Sequence, residues 1–86
     1  MNKVEWTKRA VKQLRKLPQT AQSQLHAAGE SLTGWPKVEG TKKLSDRDDW
    51  RLRHGNYRIF FLVLPTGDIT IIKITEVKKR DERTYG

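Results

Sequence analysis

Cysteine is absent from this sequence, and methionine occurs once. Neither disulfides nor thiolate-bound metal therefore brace the fold. Carboxylates are scarce: 10 Asp and Glu stand against 18 Lys and Arg, a formal charge of +8. No apolar run approaches the roughly 20 residues of a membrane-spanning helix. The N-terminus has no continuous apolar segment after its first positive charge, so a soluble cytoplasmic protein without a signal peptide is expected. There is no Gly-rich phosphate loop, no pair of histidines at ligand spacing and no Gly-x-Ser-x-Gly nucleophile context. Asp46, Asp48 and Asp49 are interrupted by Arg47 and lack the glycine and glutamate of a calcium loop, so they read as a solvated turn. The 86 residues make one small domain, 1–86, with no room for a second core.

What is present is positive charge and a clear alternation of patterns. Asn2 to Trp6 alternates polar and apolar residues, as a short strand does. Thr7 is placed to cap a helix over 8–17, with Ala10, Val11, Leu14 and Leu17 on one face. Pro18 separates it from a second helix over 19–32, whose buried stripe is Ala21, Leu25, Ala28 and Leu32. Thr33-Gly34-Trp35-Pro36 breaks that helix, and a short strand is expected within 39–44. Residues 57–64 and 69–75 are β-branched or aromatic runs separated by Pro65-Thr66-Gly67-Asp68. The order is β-α-α-β-β-β-β. It predicts an α+β fold, two N-terminal helices packed on one face of an antiparallel sheet.

The densest chemistry lies in Trp50-Arg51-Leu52-Arg53-His54-Gly55-Asn56-Tyr57-Arg58-Ile59-Phe60-Phe61. Gly55-Asn56 reads as a two-residue turn, with glycine where a type II′ turn needs a positive φ. That turn sets Arg53 opposite Arg58 and Leu52 opposite Ile59. Residues opposite one another share a face. Arg51, Arg53 and Arg58 then share one face, and Trp50, Leu52, Ile59 and Phe61 the other. Three guanidinium groups side by side ask for an anionic partner, and arginine binds phosphate through two parallel hydrogen bonds. The charged end adds Lys78, Lys79, Arg80 and Arg83, and Tyr85 offers a ring for stacking on an unpaired base.

The run Trp50-Arg-Leu-Arg-x-Gly-x-Tyr-Arg-Ile, the β-rich segment after it and the Lys79-Arg80-x-x-x-x-Tyr85 ending resemble the RelE/ParE superfamily of bacterial type II toxins. The resemblance spans essentially the whole chain and is closer to the RelE branch, which cuts messenger RNA in the ribosomal A site. The ParE branch, which poisons DNA gyrase, is the alternative, as is an inactive relative that only binds antitoxin or nucleic acid. The resemblance implies a catalytic set of Arg51, Arg53, Arg58, Arg80 and Tyr85, with Lys78, Lys79, Arg83 and His54 as further RNA contacts. The implied reaction uses no metal or other cofactor: a ribose 2′-OH attacks the adjacent phosphate and leaves a 2′,3′-cyclic phosphate. The proton acceptor stays open between His54, Tyr85 and Lys78, because arginine holds both positions where lysines are common. The implied partners are a cognate antitoxin, the ribosome with its messenger, and operator DNA through the antitoxin complex.

Overall fold

The computed structural model describes residues 1–79. Strands β1 (Asn2–Trp6), β2 (Thr41–Lys43), β3 (Trp50–His54), β4 (Tyr57–Thr66) and β5 (Ile69–Lys79) form one sheet in the order β1-β5-β4-β3-β2. Helices α1 (Lys8–Arg15) and α2 (Gln19–Glu30) cover one face of it, and a 3₁₀ turn follows at Ser31–Gly34. The α+β architecture with two N-terminal helices is as expected. One pairing differs: β1 runs parallel to β5, so the sheet is mixed rather than wholly antiparallel. The connection between the two parallel strands runs through both helices and the three intervening strands, well beyond the dozen residues a parallel pair requires.

Local chemistry sets the boundaries. Thr7 Oγ1 accepts the Ala10 N–H at 3.1 Å and so caps α1. Gln22 Nε2 donates to the carbonyls of Arg15 and Leu17, tying the end of α1 to α2. The β3–β4 register is the one read from the sequence: His54 faces Tyr57, Arg53 faces Arg58 and Leu52 faces Ile59. Gly55 has φ +59, and no non-glycine residue among those described has a positive φ, as a type II′ turn requires. Gly67, with φ +64, turns the chain again after Thr66, two residues beyond the expected end of that strand.

The core lies between helices and sheet. Ala10, Leu14, Leu25 and Leu32 meet Leu52, Ile59, Phe61, Ile72, Ile74 and Val77, all buried. Trp35 packs edge-on against Trp50 and Phe61, with centroids 4.6 and 5.5 Å apart. Each fully buried side chain of this size contributes about 1.5–3 kcal/mol, which makes this face the source of the fold's stability. Among the described residues, no helix is long and apolar enough to cross a membrane.

Trp6 closes the helical end of the core. Its indole N–H donates to Glu30 at 2.9 Å, His26 stacks on it at 5.6 Å, and its ring lies against the backbone of Gly29. A Cβ at Gly29 would overlap that ring. Gly29→Ala should therefore lower stability by about 1–3 kcal/mol, although alanine is the better helix former. Urea unfolding measures this. Gly34→Ala, which meets nothing closer than 3.8 Å, serves as the control. A Gly29→Ala midpoint at or above that of the unsubstituted protein would show that the Trp6 seat carries no constraint.

Candidate nucleic-acid interface

Among the described residues no helix covers the opposite sheet face, and the β3–β4 register decides what stands on it. Arg53 and Arg58 are directly opposite each other, and Lys78 is opposite Arg58 on β5. The adjacent row runs Lys42, Arg51, Phe60 and Glu76. Five cations therefore share two neighbouring rows of one face. Arg51 and Arg58 are half-buried, and Arg53 is exposed. The Nε atoms of Arg51 and Arg58 are buried and have no hydrogen-bond partner among the described residues. Burial, and then the charges of Arg53 and Arg58, hold the Arg51 guanidinium below its usual pKa. It stays protonated, because arginine in proteins does not lose its charge.

A β-bulge completes this face. Strict alternation along β5 from Ile72 and Ile74 would place Glu76 and Lys78 among the core residues. The β4–β5 register instead shifts between Phe60, opposite Glu76, and Phe61, opposite Ile74. The extra residue, Thr75, turns Glu76 and Lys78 outward and Val77 into the core. β1 ends at Trp6, opposite Ile74, so among the described residues the outer edge of β5 beyond that point has no strand beside it. Gln13 Oε1 of α1 accepts the Val77 N–H at 2.7 Å in place of a strand.

Two carboxylates temper the charge. Glu76 lies on the arginine face, 7% exposed, with Lys78 Nζ at 3.1 Å and Arg9 Nη2 at 3.4 Å. Asp49 is also not the solvated residue expected of the acidic turn. It is buried and bound to Arg47 at 2.8 Å, while Asp46 and Asp48 are exposed. The Arg47 guanidinium lies 5.2 Å from the centre of the Phe60 ring and covers that aromatic on the open face.

The other residues singled out from sequence fare unequally. Lys78 joins the arginine face, though as an inner part of β5 rather than of a charged tail. His54 alternates with Arg53 and stands on the helix side of the sheet, so it does not join the arginines. Lys79, opposite Tyr57, is likewise out of phase with them. Arg80, Arg83 and Tyr85 lie outside the described residues. Sequence reasoning missed Lys42, Arg47 and Glu76. The alternation Lys42-Lys43 offered a signal for the first, whereas the bulge and the loop fold that place the other two left none.

An uncompensated like-charge pair on a sheet is a local cost. Arg53→Thr should stabilise the fold by about 0.2–1 kcal/mol, by removing repulsion from Arg58. The gain should be larger at low salt than at high salt. Unfolding at two salt concentrations tests this, and a salt-independent loss of stability contradicts it.

The comparisons with known proteins follow the same lines. The family described as the ParE toxin of type II toxin-antitoxin systems, parDE, matches residues 4–83. In the toxin-antitoxin complex RelBE2 of Mycobacterium tuberculosis, a chain 24% identical superposes with a TM-score of 0.75, covering 90% of this chain and 95% of that one. The isolated RelE toxin of E. coli gives 22% identity and a TM-score of 0.73, covering 92% and 84%. The intact E. coli RelBE complex gives 25% and 0.69, covering 92% and 96%. No curated protein matches the chain.

Proposed function

We propose that this chain, which belongs to the ParE toxin family of type II toxin-antitoxin systems, acts as a ribosome-dependent endoribonuclease. The observation that carries the reading is the sheet face opposite the helices. Arg51, Arg53, Arg58 and Lys78 converge there, and two buried guanidinium Nε atoms have no hydrogen-bond partner among the described residues. Such a face is built for a polyanion that supplies several oxygens at close spacing. The likeness of the fold to RelE toxins supports messenger RNA as that polyanion.

In the proposed reaction the ribose 2′-OH gives up its proton and attacks the adjacent phosphorus in line, and the 5′-oxygen leaves and takes up a proton, giving a 2′,3′-cyclic phosphate and a 5′-hydroxyl. A pentacoordinate phosphorane with extra negative charge lies between. Arg58, half-buried at the centre of its row, stabilises that charge, because a guanidinium fixed in a low-dielectric setting needs no reorganisation as charge develops. Arg51 and Arg53, on the neighbouring strand, hold the flanking phosphates. Arg80 and Tyr85, outside the described residues, are assigned a second phosphate contact and a base-stacking ring. The ribosome would hold the messenger in line, so positioning supplies part of the rate. A cognate antitoxin encoded beside the toxin silences it, and the pair binds the operator DNA.

A second reading has its own support. The matching family carries the ParE name, which favours gyrase as the target and a protein surface in place of RNA. Arg58→Ala separates the two. It should reduce ribosome-dependent cleavage of a defined messenger by about 10²–10³-fold, with an unchanged fold by circular dichroism. Primer extension with and without ribosomes measures this. Absence of cuts by the unsubstituted protein, together with gyrase-dependent DNA breaks, would transfer the assignment to the second reading.

A further inference from the structure

The arginine face supplies cations for the phosphates, but cleavage also needs a group that takes the 2′-OH proton. A guanidinium has donors and no acceptor and keeps its charge, which rules out Arg51, Arg53 and Arg58. His54 stands on the other side of the sheet. Lys78, ion-paired as an ammonium with Glu76 at 3.1 Å, likewise offers donors only. Two carboxylates are buried beside the arginine rows, Asp49 and Glu76. Asp49 gives one oxygen to Arg47 at 2.8 Å, and its other oxygen, Oδ1, is buried. Glu76 is arranged differently. Its Oε1 meets Arg9 Nη2 and its Oε2 meets Lys78 Nζ, so each oxygen holds one cation and keeps a further acceptor site. About 10% of the side chain stays accessible.

The register puts this carboxylate where the reaction needs it. Glu76 is opposite Phe60, and Phe60 is opposite Arg51, so Glu76 and Arg51 flank that ring from either side. Arg58 is the diagonal neighbour of Glu76 on the same face. Such neighbours lie about 7–8 Å apart, within reach of long side chains. A span of that size accommodates one phosphate on Arg58 with the adjoining ribose hydroxyl at Glu76. The bulge at Thr75 is what delivers it, since strict alternation would send Glu76 into the core. The geometry points to Glu76 as the proton acceptor of the cleavage reaction, an inference that rests on the ribonuclease reading. A Glu76 oxygen takes the 2′-OH proton as the 2′-oxygen bonds to phosphorus. The bond from phosphorus to the 5′-oxygen breaks, and that oxygen takes a proton from a water molecule. The hydroxide so formed recovers the proton held by Glu76, and the carboxylate is restored.

Glu76→Gln keeps the shape of the side chain and removes its basicity. In single-turnover cleavage of a defined messenger on saturating ribosomes, it should lower the rate constant at least about thirtyfold. Its affinity for ribosomes and its circular dichroism should match those of the unsubstituted chain. Glu76→Asp, which keeps a carboxylate, should cut faster than Glu76→Gln. Arg9→Ala breaks the tie to α1 but leaves the carboxylate in place, and it should retain most of the rate. A messenger with sulfur in place of the 5′-oxygen has a leaving group that needs no proton, and it should not restore Glu76→Gln. A smaller loss in Glu76→Gln overturns the inference and leaves the ribonuclease reading standing. So does an equal loss in Arg9→Ala, which would make Glu76 a structural tie, or rescue by the sulfur substrate, which would make it the proton donor. Absence of cuts by the unsubstituted chain overturns both readings together.

Discussion

Burial of Ile59 and Phe61 on β4 is the constraint from which the site follows. Both side chains are fully buried against Leu25, Leu32 and the tryptophans, so the phase of β4 relative to the helices has no freedom. A slip by one residue would expose Ile59 and Phe61 and bury Arg58 in their place. The turn at Gly55-Asn56 transmits that phase to β3, where Leu52 goes inward and Arg51 and Arg53 go outward. The arginines are thus gathered by the apolar residues between them. Their mutual repulsion, a fraction of a kcal/mol per opposed pair, is small against about 1.5–3 kcal/mol for each buried aliphatic or aromatic side chain.

The bulge in β5 is the second device. It resolves a conflict in which strict alternation would bury Glu76 and Lys78 and expose Val77. One extra residue corrects all three, and the N–H left without a strand partner at Val77 is satisfied by Gln13 from α1. The helix that covers the core therefore also secures the strand that brings Lys78 to the arginine row. Glu76, bound to both Lys78 and Arg9, links the same two elements by charge. Removing Gln13 would leave a buried donor unpaired, which is costly in a way that losing an exposed contact is not.

Much of this was legible in the sequence, for identifiable reasons. The hairpin register follows from a two-residue Gly-containing turn and from alternation on either side of it. The helices follow from a capping threonine, a proline break and apolar spacing. The parallel pairing of β1 was not legible, because a five-residue alternating strand carries no mark of its partner or direction. The bulge was hidden because period-two patterning breaks at Thr75-Glu76 in a way that also resembles the end of a strand. Asp49 was read as solvated from composition alone. Only the folded loop, which brings Arg47 back over Phe60, shows it buried and paired. His54 was one of the candidate proton acceptors, but strand alternation places it on the other side of the sheet.

The two faces of the sheet carry opposite balances of stability and charge, and this bears on how such a small domain works. The helix side combines nearly all the buried apolar area with a cationic rim that lies above it. The open side keeps Arg51 and Arg58 half-buried, their Nε atoms without a hydrogen-bond partner among the described residues, a state that lowers stability until an anion arrives. A polyanion on the open side would relieve that deficit directly, so binding there would also stabilise the fold.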